Sequence, residues 1–471
     1  MQLTLGLVAQ GLGCELPAAL AATPVGGVCI DSRQLKAGDL FFCIPGEHFD
    51  GHTFAADAAK SGAVAVVAEK GKLAEAWLDG PAGTRVPVLP VAVAVPALGR
   101  LARFWRSMSR ARVVAVTGSA GKTTVKELLA HVLESEGPVA RNPMNLNNQI
   151  GLPLSMLAAT GEEKFWIMEV GISLPEDMAE LGKILCPDIA LVLNVGPAHL
   201  SGLGDRGVAY YKAQLLSFLT EGGTGIVSAD YPELVNEARR HYSDLILFTA
   251  QGRDVPYSGG YMGQDGEGLG RYRLRFGDRN FQVSAPLLGS VGAENVTAVA
   301  TVAHILGLSE ERISEGLATA SLPAQRFRRE KAGKWLLVDD SYNANPLSCA
   351  RSLSAAAELA AGLPLVLVMG EMGELGDVAG DLHRDLGKAM AEARPKAIFW
   401  KGAYLEQVRE GLALNDWPGE VLQVSDDESF RAQAAKLHLE QGVVLFKGSR
   451  LNKLERLVDI FRQSVLNNKD S

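Results

Sequence analysis

Short β-branched and apolar runs recur along the chain. Each is closed by a polar turn, and most are followed by a stretch with apolar residues at helical spacing. In residues 1–108 the runs 40–44 and 63–68 read as strands, bounded by Gly38-Asp39 and Pro45-Gly46 or by small residues. The alanine-rich stretch 54–61 reads as a helix that Asp50 or Thr53 could cap. Residues 96–112 carry Leu98, Leu101, Phe104 and Trp105 on one helical face and lead into the next unit. In residues 109–322 the runs 113–116, 165–170, 189–195, 224–228 and 245–248 alternate with helical stretches such as 123–133 and 207–219. Residues 251–282 are glycine-rich and alternate, which predicts an antiparallel hairpin insert, and Gly292 to Asn295 opens a helix reaching 306. In residues 323–471 strands at 335–338, 365–369, 397–400, 421–424 and 443–446 alternate with helical patterns, ending in a helix over 451–461. The pattern predicts an α/β chain of three domains. They are a small α/β N-terminal domain, a central phosphate-loop-type parallel sheet and a C-terminal Rossmann-like, doubly wound domain.

The chemistry concentrates at Thr117-Gly118-Ser119-Ala120-Gly121-Lys122-Thr123-Thr124, between a strand and a helix. Glycines let successive backbone N–H groups turn inward, and the following helix adds its positive end, so the segment reads as a cradle for nucleoside-triphosphate phosphates. Lys122 supplies a mobile charge and the Thr123 hydroxyl a ligand for Mg²⁺. Two residues rather than four separate the glycines, so the strand and helix around the motif carry the reading. Glu169 falls at the end of the run 165–170 and His199 just past the run 189–195, where open parallel sheets collect ligands. The amide-dense stretch from Arg141 to Gln149, with Asn145, Asn147 and Asn148, suits either a polar ligand or a surface loop. Asn295 suits either a nucleobase edge or a helix cap. Ser32, Arg33 and His52 could hold an anion; equally, Asp31 and Arg33 could pair within a turn and His52 could cap a helix. Lys212 by itself reads as a solvated helix lysine.

Composition narrows the classes. The net charge of −8 gives no basic field for nucleic acid, and 47% hydrophobic residues describe an ordinary globular chain. Five scattered cysteines with no C-x-x-C pair predict reduced thiols in a cytoplasmic protein and no structural zinc. There is no signal-peptide pattern. The longest apolar stretch, 86–98, is interrupted by Pro87, Pro90 and Pro96, so no membrane span is expected. No G-x-S-x-G, H-E-x-x-H or G-x-G-x-x-G pattern points to a hydrolase, zincin or dinucleotide enzyme.

Together the strings T-G-S-A-G-K-T-T, N-N-Q-I-G-L-P at 147–153, P-A-H at 197–199 and D-D-S-Y-N-A-N-P at 339–346 resemble the Mur ligase family of ATP-dependent amide-bond ligases. The D-S-R, G-D-L-F-F and D-G-H-T-F strings of residues 1–108 resemble that family's uridine-nucleotide domain. The resemblance covers essentially the whole chain. It implies ligation of D-alanyl-D-alanine to a UDP-N-acetylmuramoyl-tripeptide through an acyl phosphate, with ATP and Mg²⁺, giving the pentapeptide precursor of peptidoglycan. A family ligase with another acceptor, such as a folyl-polyglutamate type, is the alternative, and the D-S-R and D-G-H strings speak against it. By the same resemblance Lys122 binds the β- and γ-phosphates within a loop of Gly118, Ser119, Ala120, Gly121, Thr123 and Thr124. Thr123, Glu169, His199 and a carbamylated Lys212 hold metal. Asn295 contacts adenine. Arg326 and Asp340 meet the nucleotide, Tyr342, Asn343 and Asn345 line the cleft, and Ser32 and Arg33 face the uridine nucleotide. A monomer is expected. The chain departs from the family's usual pattern where Glu294 replaces a histidine, Ala298 an asparagine and Gln325 a glycine.

Overall fold

The computed structural model describes residues 2–46, 48–196, 203 and 206–467; His199 lies outside them. Three sheets follow one another along the chain. The first has five strands in the order Val28–Cys29, Leu40–Phe42, Ala65–Glu69, Arg85–Val91, Trp77–Asp79, all parallel but the last. The proline-rich stretch becomes the strand Arg85–Val91 and then the helix Ala94–Met108. Pro96 sits in the first turn of that helix, where a missing N–H costs no hydrogen bond.

The central sheet has nine strands. Seven pair in parallel, in the order Val139–Arg141, Phe165–Glu169, Arg112–Thr117, Ile189–Val192, Thr224–Ser228, Leu245–Thr249, Tyr257–Gln264. An antiparallel meander of Tyr257–Gln264, Gly270–Phe276 and Arg279–Ala285 extends the same sheet, so the expected hairpin is a three-stranded edge. The meander alternates as its sequence does, burying Tyr272, Leu274 and Phe276 and leaving Arg271 and Arg273 in solvent.

The third sheet has the order Arg328–Ala332, Trp335–Asp339, Gly442–Lys447, Leu365–Gly370, Ala397–Lys401, Val421–Gln423. Five strands are parallel; Arg328–Ala332 pairs antiparallel at the edge, an addition to the doubly wound sheet that the pattern predicts. Among the described residues no helix is long and apolar enough to cross a membrane.

Strand Arg112–Thr117 lies between Ile189–Val192 and Phe165–Glu169, and the loop after it opens the helix Lys122–Glu134. That helix buries Val125, Leu128, Leu129, Val132 and Leu133 completely. At about 1.5–3 kcal/mol for each large apolar side chain, this packing fixes the helix start, and with it the loop, on a rigid base.

Candidate functional site

The loop 118–121 is shaped by backbone and amide contacts. Gly121 adopts φ 82°, a left-handed conformation that glycine takes without penalty. Asn194, fully buried just past strand Ile189–Val192, accepts from the Ala120 N–H through Oδ1 (2.8 Å) and donates Nδ2 to the Ala120 carbonyl (3.0 Å). The Ser119 hydroxyl donates to the Gly196 carbonyl (3.1 Å) and accepts from its N–H. Beyond the loop the first N–H groups of Lys122–Glu134 have no partner inside the helix, which suits this end to an anion. Lys122 Nζ donates to the Gly118 carbonyl at 2.8 Å. Burial pulls its amine below the usual lysine range, and the Glu169 carboxylate partly offsets this.

Glu169 is the hub. The Thr123 hydroxyl donates to Oε2 at 2.7 Å, and Asn147 Nδ2 donates to Oε1 at 2.7 Å. Lys212, 1% exposed on helix Gly207–Ala213, has its pKa pushed well below the usual value by burial and by Lys122, with Glu169 acting the other way. The two lysines and the one carboxylate thus share a neighbourhood. A solvated helix lysine is therefore not what Lys212 is.

The amide-rich loop is ordered by residues that the sequence does not single out. Asn142 is fully buried: it donates to the Leu146 and Glu169 carbonyls and accepts from the Glu169 N–H. Lys126, also fully buried, donates to the Asn142 and Met144 carbonyls. Asn148 Oδ1 accepts from the N–H groups of Ile150 and Gly151 at the start of helix Gly151–Leu157, and Asn145 is exposed. Lys122, Thr123, Asn145, Asn147, Asn148 and Glu169 line one wall of a cleft of about 460 Å³.

The third unit supplies the other wall, from Arg326, Tyr342, Asn343 and Asn345. Arg326 Nη2 donates to Thr123 Oγ1 at 3.2 Å, and its guanidinium lies 4.1 Å from the centre of the Tyr342 ring. Gln325 and Phe327 flank it at φ 60° and 55°. Left-handed backbone costs roughly 1–2 kcal/mol for such residues, so aiming Arg326 at Thr123 is held in place by the surrounding packing. Asn345 caps helix Pro346–Ala360 in a capping box with Ser348, and its Nδ2 donates to the Ser119 carbonyl at 3.0 Å. Asp340 faces inward, but its carboxylate is engaged: Lys447 Nζ (2.6 Å), the Ser352 hydroxyl and the Phe327 N–H all donate to it.

Asn295 is no helix-start cap. The helix runs Gly289–Ile305, so Asn295 lies in its second turn. Its Oδ1 is buried with no hydrogen-bond partner among the described residues. It faces a side pocket of about 100 Å³ shared with Ala120, Gly121, Thr124, Arg326 and Asp340. In the first unit Arg33 pairs with Asp31 in the turn (2.7 Å) and is 86% exposed in its side chain, and Ser32 is half-buried beside it. The pairing holds the Asp31 carboxyl down at about 2. His52 is buried, donating Nδ1–H to Asp50 and accepting from the Glu69 N–H at Nε2. It serves the fold, and Asp50 is the cap of the short turn Gly51–Phe54.

These features define a class: a phosphate-loop protein of three α/β units whose second and third units meet at one polar cleft. The matches to known proteins agree. "Mur ligase family, catalytic domain" matches residues 24–106, "Mur ligase middle domain" 116–303 and "Mur ligase, glutamate ligase domain" 325–450. The chain belongs to the Mur ligase family. It is 30% identical over 447 residues to the UDP-N-acetylmuramoyl-tripeptide–D-alanyl-D-alanine ligase of Bacillus subtilis (strain 168), covering 94% of each chain. A crystal structure of MurF from Acinetobacter baumannii superposes with a TM-score of 0.84 at 27% identity, over 98% of this chain and 99% of that one. The MurF ligase of Thermotoga maritima in complex with ADP gives 0.80 at 28% identity, over 94% and 98%.

Proposed function

We propose that this protein is an ATP-dependent, ADP-forming ligase that joins D-alanyl-D-alanine to a UDP-N-acetylmuramoyl-tripeptide, making the pentapeptide precursor of peptidoglycan. Its units divide at 108/109 and 322/323, for the uridine nucleotide, for ATP and for closure of the cleft. The observation that carries the reading is the meeting of Lys122, Thr123 and Glu169 with Arg326 of the next unit on one polar cleft, with the buried Lys212 near enough to Lys122 and Glu169 to feel both charges. The substrates in the name of the Bacillus subtilis relative support the same pair here.

The residues fit the nucleotide and a hard metal ion. The orphaned Asn295 Oδ1 in a small pocket beside the loop suits the amino group of adenine. The Thr123 hydroxyl and the Glu169 carboxylate are oxygen donors already turned toward each other. With His199 they would hold Mg²⁺, joined by Lys212 once its neutral amine adds to CO₂ and loses a proton, which turns a buried amine into a carbamate oxygen donor. The metal would screen the triphosphate's charge and draw it from the leaving phosphate.

The chain's own part is positioning. Loop N–H groups and the helix N-terminus hold the phosphates, and Lys122 exchanges the Gly118 carbonyl for phosphate oxygens. Arg326 offsets repulsion between the tripeptide's carboxylate and the γ-phosphate. The carboxylate oxygen bonds to the γ-phosphorus as ADP leaves. The free amine of D-alanyl-D-alanine then attacks the acyl carbon, losing a proton as phosphate departs. Asn145, Asn147 and Asn148 contact the tripeptide, and Ser32 and Arg33 the uridine nucleotide. Asn343, Asn345 and Tyr342 close the cleft against water, which would hydrolyse the acyl phosphate.

Phosphate release is the test, with ATP, Mg²⁺, the UDP-tripeptide and the dipeptide each omitted in turn. Release that requires all four is expected. Release without the dipeptide, at the full rate, would point to a leaking acyl phosphate or to another acceptor and count against the dipeptide.

A further inference from the structure

Arg351 on helix Pro346–Ala360 reaches out of the third unit into the second. Its Nη2 donates to Glu294 Oε2 and, at 2.8 Å, to the Tyr231 hydroxyl. Glu294 is 3% exposed on helix Gly289–Ile305, next to Asn295. The same Glu294 oxygen accepts from Asn194 Nδ2 at 2.9 Å, and Asn194 brackets Ala120 of the phosphate loop on both its N–H and its carbonyl. Four residues therefore make one unbroken chain of contacts from the third unit to the loop. Arg351, Asn295 and Ala120 also border the same side pocket.

We infer that Arg351 is a positioning residue for the nucleotide, acting through Glu294 and Asn194 on the phosphate loop. The inference rests on the nucleotide reading of the cleft. A buried carboxylate beside a site for a polyanion is a hazard, because its charge repels the phosphates and is poorly screened. Arg351 cancels that charge only when the third unit is docked. Docking and nucleotide binding then favour one another, as linkage requires of two events with a shared contact. Tyr231 holds the guanidinium from the side of the second unit, so the pair is met by groups already in place.

The test is ADP affinity of the full chain by calorimetry, which needs neither acceptor nor turnover. Arg351→Met strands Glu294 and is expected to weaken ADP about tenfold, raising the KM for ATP more than it lowers kcat. Adding Glu294→Gln to it removes the stranded charge and is expected to return affinity to within about threefold of the natural chain. Arg351→Lys keeps the charge and is expected to fall between. Should Arg351→Met not fold, Arg351→Lys and the double variant carry the comparison, since neither leaves a bare buried carboxylate. A double variant as weak as Arg351→Met, or variants all equal to the natural chain, overturns the inference alone. A natural chain that binds no ADP overturns the nucleotide reading and the inference with it.

Discussion

Gly121 closes the phosphate loop with a left-handed backbone, and a Cβ there would stand 2.5 Å from Asn295 Oδ1. Gly121→Ala therefore meets two penalties, roughly 1–2 kcal/mol of backbone strain and displacement of Asn295 from its pocket. The expected outcome is a chain that unfolds at slightly lower denaturant and binds ADP at least tenfold more weakly, read by urea titration and calorimetry. An unchanged affinity would detach Asn295 and the loop from the nucleotide. The strand, loop and helix that carry Gly118, Gly121, Lys122 and Thr123 are legible in the sequence because they follow one another directly along the chain. Arg351, Asn194, Asn142 and Lys126 are not. Their partners stand 57, 74, 27 and 16 residues away, and nothing local separates them from ordinary surface arginines, lysines and asparagines. Glu294 is visible as a departure from the family's histidine, but its partner Arg351 emerges only from the fold.

Helix Pro346–Ala360 shows what an element can do at its end. Asn345 accepts from the Ser348 N–H to cap the helix and, with its other side-chain atom, donates to Ser119 across the cleft. The two jobs separate by substitution. Asn345→Ala should cost about 1 kcal/mol of stability from the lost cap and reduce ligation as well. Asn345→Asp keeps the acceptor and drops the donor, so stability should stay within about 0.5 kcal/mol while ligation falls. Chemical denaturation and steady-state rates on both variants check this; equal loss of stability in the two would refute the division of labour. At this scale most parallel strands and their helices are legible because apolar runs and helical spacing mark them, whereas Val28–Cys29, the proline-broken Arg85–Val91 and the short Val139–Arg141 are not. Strand Arg328–Ala332 is not, since an exposed edge of Arg-Arg-Glu-Lys-Ala carries no apolar run. The start of helix Gly289–Ile305 is missed because Leu288 precedes it without a side-chain cap, leaving Gly292 to Asn295 as the only visible signal.

For the whole molecule, the sequence pattern carries the α/β class and the order of units, because each unit repeats the same strand-and-helix period. It does not carry how the second and third units meet. The contacts Arg326–Thr123 and Asn345–Ser119 join residues 203 and 226 positions apart, and each is one hydrogen bond among many polar residues. Burial explains why they matter. Between the units the cleft is lined mainly by polar and charged side chains, which suits it to holding a polar substrate pair in place. The central claim is that this cleft activates a carboxylate by phosphoryl transfer before the amine arrives. The most direct measurement uses UDP-tripeptide labelled with oxygen-18 in its terminal carboxylate, with mass analysis of the phosphate released during ligation. Passage through an acyl phosphate predicts one labelled oxygen in the phosphate and a pentapeptide that retains the other. Phosphate without label, released at the same rate, would contradict the account, because its fourth oxygen would then have come from water.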